Sequence, residues 1–141
     1  MKKLLVVIAI LILSSIQVYT QGKIISKEDA DQLFGPVHIS KEIPTETLKL
    51  YITQSVDVVM FKIMNNDLYI LDNKRNVLLP DGITVSNAEV FSMYSISVVQ
   101  QLISDGGSSV TYIEKRKDVL TITNGDYTLE YSMLCPPFCF D

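Results

Sequence analysis

The chain has 141 residues, 48% of them hydrophobic, a formal net charge of −4 and a single histidine. That apolar content is enough to bury a core and excludes a disordered tether. The acidic balance argues against nucleic acid or an anionic membrane surface as partner, and two cysteines are too few for a multi-bridge disulfide scaffold.

Lys2-Lys3 precedes an unbroken apolar run from Leu4 to Leu13, and polar, small residues begin at Ser14. This is the pattern of a secretory signal peptide over residues 1–22, with exits at Val18-Tyr19-Thr20 or Thr20-Gln21-Gly22. The alternative, an uncleaved anchor, needs about 20 apolar residues to cross a bilayer. No cysteine follows the run, so a lipid-anchored exit is not indicated. Loss of Lys2 and Lys3 from 12 basic residues leaves 10 against 16 acidic ones, a formal −6. The expected location is therefore outside the cytoplasm, in the periplasm or the medium, with residues 23–141 as one domain.

Ser26-Lys27-Glu28-Asp29 opens a helix, with Ser26 as N-cap and acids at its positive end. Gly35-Pro36 stops it. The segment Ser26 to Pro36 resembles the opening helix of small exported helix–sheet domains, such as those of β-lactamase inhibitory protein and outer-membrane assembly lipoproteins. The likeness covers that segment alone, and no family is assigned from it. Val37 to Ile43 reads as extended up to Pro44, and Thr45 caps a second helix with Leu48, Tyr51 and Ile52 on one face. Three strands follow, Val58 to Met64, Leu68 to Leu71 and Val77 to Leu79, joined by turns at Asn65-Asn66 and Asp72 to Arg75 and closed by Pro80-Asp81-Gly82.

Ser86-Asn87-Ala88-Glu89 fits a capping box and predicts a long helix from Ala88 to Ser104, with Phe91, Tyr94, Val98 and Leu102 on one side. Gly106-Gly107 ends it. A second meander follows: Val110 to Glu114, a solvated Lys115-Arg116-Lys117-Asp118 turn, Val119 to Thr123, an Asn124-Gly125 hairpin turn, and Tyr127 to Met133. The predicted class is α+β, helices packed on antiparallel meanders. A shift of 51 positions lays Ile52, Asp67 and Asn73 on Ile103, Asp118 and Asn124. That echo suggests a duplicated helix–three-strand unit, with halves at 23–82 and 83–134 and a tail at 135–141. The alternative is that any two meanders share a period of two.

In the second meander Thr128, Glu130 and Ser132 point away from Tyr127, Leu129, Tyr131 and Met133, which predicts a sheet with one wet face. In the first, Val59, Phe61 and Ile63 load one face while Val58, Met60 and Met64, joined by Tyr69 and Leu71, load the other. Either another element covers that second face or a partner does.

Chemistry is sparsely signalled. His38 lies in an extended linker without a nucleophile motif. Gly106-Gly107-Ser108-Ser109 follows a helix, the reverse of a phosphate loop. No calcium loop is present. Cys135-Pro136-Pro137-Phe138-Cys139 has three residues between its cysteines where redox enzymes carry two, and too few companions for zinc. A structural Cys135–Cys139 bridge is the expected state, with free or partner-linked thiols as the alternative. It would fix Phe138 and Phe140 against the last strand or offer them to a partner.

The reading is an exported, non-enzymatic module that binds a protein or peptide, with no cofactor, no metal and no catalytic residue assigned. The expected contact residues are Phe138, Phe140, Met60, Met64 and Tyr69. The alternative is a small exported hydrolase using acidic residues, which would need a pocket holding at least two acids.

Overall fold

The computed structural model describes residues 22–139. The expected signal segment, apart from Gly22, and Phe140 lie outside the described residues. The fold is α+β, dominated by two five-stranded antiparallel sheets, with three helices.

In chain order the elements are β1 (Lys23–Ser26), α1 (Lys27–Phe34), β2 (Ile39–Pro44), α2 (Thr45–Ile52), β3 (Val58–Met64), β4 (Asp67–Leu71), β5 (Val77–Leu79), β6 (Phe91–Ser95), α3 (Ile96–Gly106), β7 (Val110–Lys115), β8 (Leu120–Asn124), β9 (Tyr127–Glu130) and β10 (Met133–Cys135). One sheet has the order β1-β9-β8-β7-β2 and the other β10-β6-β3-β4-β5. The meander β3-β4-β5 thus takes β6 on its flank, while β7-β8-β9 takes β2, so each meander is extended by a strand from the other half of the chain.

Alternation along the strands builds the core. Val59, Phe61 and Ile70 of one sheet and Ile113, Ile122 and Leu129 of the other are buried together with Leu48 and Ile52 of α2 and Val99 and Leu102 of α3. Tyr94 joins them, its ring centroid 6.3 Å from that of Phe61 in a tilted arrangement. Close approach at the end of α3 requires glycine: a Cβ at Gly106 would lie 2.2 Å from the Asn124 carbonyl oxygen.

The second apolar face of the β3 sheet forms a smaller core of Val58, Met60, Leu71, Phe91, Met93 and Cys135. Its cover is the segment between β5 and β6, from which Val85 packs inward. Arg75 ties that segment to β10, donating to the carbonyls of Glu89 (2.8 Å) and Ser86 (3.1 Å) and to that of Cys135 (3.1 Å), and Lys62 pairs with Glu89.

Several sequence expectations are corrected. The predicted helix from Ala88 does not start there: Phe91–Ser95 is β6, held between β3 and β10. The Ser86 hydroxyl accepts from Ala88 N within a turn, and the helix begins at Ile96. Two flanking strands outweigh one capping signal. The predicted last strand, Tyr127 to Met133, breaks at Tyr131 (φ 61°) and divides between the two sheets. The Asn124-Gly125 turn shifts by one residue, because Asn124 pairs with Tyr127 and leaves Gly125-Asp126 at the tip. Thr45 is the first helical residue, not the cap. Its hydroxyl donates to the Ser108 carbonyl at 2.8 Å and meets Thr111 Oγ1 at 2.9 Å.

The expected wet face is also buried. Helix α1, capped by Ser26 (Asp29 N to Ser26 Oγ, 3.0 Å), lies on it with Ala30 fully buried. Beneath it Thr121, Thr123, Thr128, Glu114 and Arg116 are all buried. Arg116, expected in a solvated turn, is 0% exposed. Its Nη1 donates to Asp31 Oδ1 and to the Gly35 carbonyl, each at 2.6 Å, and Nη2 reaches Glu114 Oε2 at 3.4 Å. The side chain therefore clamps the end of α1 to the sheet.

Candidate functional site

Where the chain leaves β9 for β10 it passes from one sheet to the other, and three neighbouring recesses open around this crossing. The outermost is an apolar depression of about 300 Å³ lined by Ser132, Met133, Leu134, Pro137 and Phe138. Its floor is rigid for reasons visible in the chain. Met133–Cys135 pairs with Phe91–Met93. The Cys135–Cys139 disulfide, with its Cα atoms 4.8 Å apart, closes the tail, and Phe138 N donates to the Leu134 carbonyl at 3.1 Å. Two large apolar side chains stand out from this support, Phe138 at 61% exposure and Leu134 at 49%, and Tyr131, at 68%, precedes them on the crossing. Leu134 also borders a second recess of about 190 Å³, where Val90 and Val119 meet Lys115 and Lys117.

The third recess, about 160 Å³, is the most enclosed, and is lined by Phe34, Val119, Leu120, Glu130, Tyr131 and Ser132. Phe34 stands on its wall because the Arg116 clamp ends α1 there. Glu130 is only 3% exposed. Burial raises its pKa above the ordinary glutamate value, and the charge of Lys23 partly lowers it. Lys23 is its partner in the β1–β9 register. Below, the Tyr94 hydroxyl donates to the Leu120 carbonyl at 2.5 Å. Burial raises the pKa of Tyr94, and its hydrogen bond with Ser132 opposes this.

The structure scatters the residues singled out from sequence. Cys135 and Cys139 are bonded to each other. Phe138 is exposed at the crossing. Met64 and Tyr69 are half-buried against the smaller core, away from the crossing. Met60 is fully buried in that core; as a contact residue it is corrected, because the β5–β6 segment already occupies the face it points to. His38 is exposed and its backbone N donates to the Lys115 carbonyl. Among the described residues no group of three or more His, Cys, Asp and Glu side chains is placed to hold a metal ion.

Two residues at or behind the site escape the sequence reading, Glu130 and Arg116. A signal for them exists: Glu114 and Arg116 are two apart on β7 and its continuation, facing Thr121 and Thr123. A polar face carrying both signs of charge and a run of threonines is better suited to a helix than to water.

Comparison with family models, curated proteins and solved structures finds no match to this chain.

Proposed function

We propose that the chain is an exported, non-enzymatic module that binds a protein or peptide at the β9–β10 crossing. The observation that carries this reading is the exposed trio Tyr131, Leu134 and Phe138, the last two on a support closed by a disulfide. Grouped apolar side chains of this size on a small acidic domain are suited to a partner surface, and a rigid support lowers the ordering cost of binding. The bridge fits an oxidising compartment. No helix among the described residues is long and apolar enough to cross a membrane.

The test is affinity capture from the exporting cell with three forms of the chain: wild type, Leu134→Ser/Phe138→Ser, and Leu33→Ser, which alters a more exposed leucine (67%) elsewhere. A partner retained by wild type and Leu33→Ser but lost by the double variant, with equal thermal midpoints, supports the reading. Retention by all three refutes it.

One observation favours the hydrolase alternative. Glu114 and Glu130 share the buried face under α1, with β8 between their strands. Against it, Glu114 is engaged by Arg116 and by the Thr123 hydroxyl at 2.7 Å, and Glu130 is the sole acid lining its recess. Turnover of a substrate abolished by Glu130→Gln would reverse the order of the two readings.

We also infer a duplicated strand–helix–three-strand unit. Moved by 51 positions, β2 falls on residues 90–95 and α2 on 96–103, against β6 at Phe91–Ser95 and α3 at Ile96–Gly106. The strand order supports this, since β2 and β6 occupy equivalent flanks of the two meanders.

A further inference from the structure

We propose that the enclosed recess beside Glu130 is a receptor for a primary ammonium group on a short aliphatic stem. Glu130 is nine-tenths buried and more and lines the recess, and its carboxylate makes no hydrogen bond or ion pair with any described residue. Every other acid buried with it on this fold is engaged: Glu114 by Arg116 and Thr123, and Asp72 by Asn76 and the Lys74 and Asn76 backbone. A buried carboxylate without a partner costs stability unless something fills its place. Among the described residues no cation lies within ion-pair distance of the Glu130 carboxylate, so it is left as an acceptor open to the recess.

The walls define the rest of the ligand. Phe34, Val119, Leu120 and Tyr131 are apolar and offer two aromatic rings beside the acid, a setting that favours a cation with a hydrocarbon stem. At roughly 30 Å³ for each water-sized group, 160 Å³ admits about five, the four methylenes and nitrogen of a lysine side chain or of butylammonium. A single carboxylate with one hydroxyl, Ser132, is too small a donor set for a divalent metal ion. The net charge of −4 draws cations toward the protein. Lys23, opposite Glu130 in the β1–β9 register, does not fill the site: its Nζ lies 6.0 Å from the Tyr131 ring centroid and forms no ion pair with Glu130. It competes with the ligand through its charge alone.

This inference deepens the binding reading, since Tyr131 belongs both to this recess and to the exposed trio, and a partner seated on the trio could extend a lysine inward. A free alkylamine would present the same chemistry. The experiment follows the amide NMR signals of Val119, Leu120 and Tyr131 and the methyl signals of Val119 and Leu120 in the exported chain during titration. The probes are n-butylammonium, n-butanol, and a capped Ala-Lys-Ala peptide with its norleucine counterpart. Saturable shifts with butylammonium or the lysine peptide, absent with butanol and norleucine, are expected. Glu130→Gln should weaken them at least tenfold, and Lys23→Gln should strengthen them. Binding of the peptide without the free amine assigns the source to a partner lysine, and the converse assigns it to a small amine. No saturable shift, equal response to butanol, or full binding by a folded Glu130→Gln variant overturns the proposal. Since Leu134→Ser/Phe138→Ser leaves this recess intact, its failure in capture and a failure here are separable.

Discussion

Replacing Arg116 by methionine tests how the fold holds α1 and, through it, the wall of the Glu130 recess. The substitution keeps an unbranched stem and removes the guanidinium. Two short bonds are lost, to Asp31 and to the Gly35 carbonyl, each 2.6 Å. Asp31 is half exposed (52%), so its carboxylate returns to water and its share is small, about 0.5 kcal/mol. Glu114 is only 5% exposed and loses its one cation, keeping the Thr123 hydroxyl; breaking a buried pair in this way costs roughly 3–5 kcal/mol. The 3.4 Å separation between Arg116 and Glu114 places the expected loss at the low end, about 3 kcal/mol in all. With a urea slope of about 2 kcal/mol/M, the denaturation midpoint should fall by roughly 1.5 M at unchanged slope. The double variant Arg116→Met/Glu114→Gln should recover about 1–2 kcal/mol of that loss, because no buried charge is then left alone. A loss below about 1 kcal/mol for the single variant, or a double variant no more stable than the single, would refute the clamp argument.

Glu130 gives a pH dependence whose sign is fixed by its burial. Its folded pKa is raised above the ordinary 4.5, so the native state holds the proton more tightly than the unfolded chain, and stability falls as pH rises from about 4.5 through the folded value. Glu130→Gln should match wild type below that window, exceed it near neutrality and flatten the curve between; chemical denaturation at stepped pH checks this, and parallel curves for the two proteins would contradict it. Cys139→Ser opens a ring only a few residues long, for which chain entropy predicts a loss of about 2 kcal/mol; alkylation of wild type should need reductant, and equal labelling without it would show that no bridge forms. Gly106→Ala drives a methyl group into the Asn124 carbonyl and should cost roughly 1–3 kcal/mol by thermal denaturation; an unchanged midpoint would show that α3 and β8 separate freely.

The α+β class and most strands are legible in the sequence because period-two alternation along Val58 to Met64 and Val110 to Glu114 is a direct imprint of two-faced burial. Helix α1 is legible from its own cap and stop, Ser26 and Gly35. The errors share one cause, contacts distant in sequence. Phe91 and Tyr94 stand at helical spacing, yet Phe91 and Met93 face the smaller core while Tyr94 faces the larger one, and only pairing with β3 and β10 decides that. The polar row Thr121, Thr123, Thr128 and Glu130 reads as solvent-facing because nothing local says that α1 folds back over it. The same gap hides the recess: Glu130 becomes unusual only when Phe34, almost a hundred positions earlier in the chain, closes over it. The bridge and the exposure of Phe138 are local, and the tail is the part of the site that the sequence locates.

Because β2 is lodged beside β7 and β6 beside β3, neither half of the chain carries a finished sheet. A single backbone cut between Pro80 and Val90 would produce two fragments, each with an orphaned strand and an open edge on its meander. Such fragments have every reason to find one another and few means to persist alone. The molecule is in this respect two clasped hands joined at one wrist, and a protease that severs the joint need not separate them.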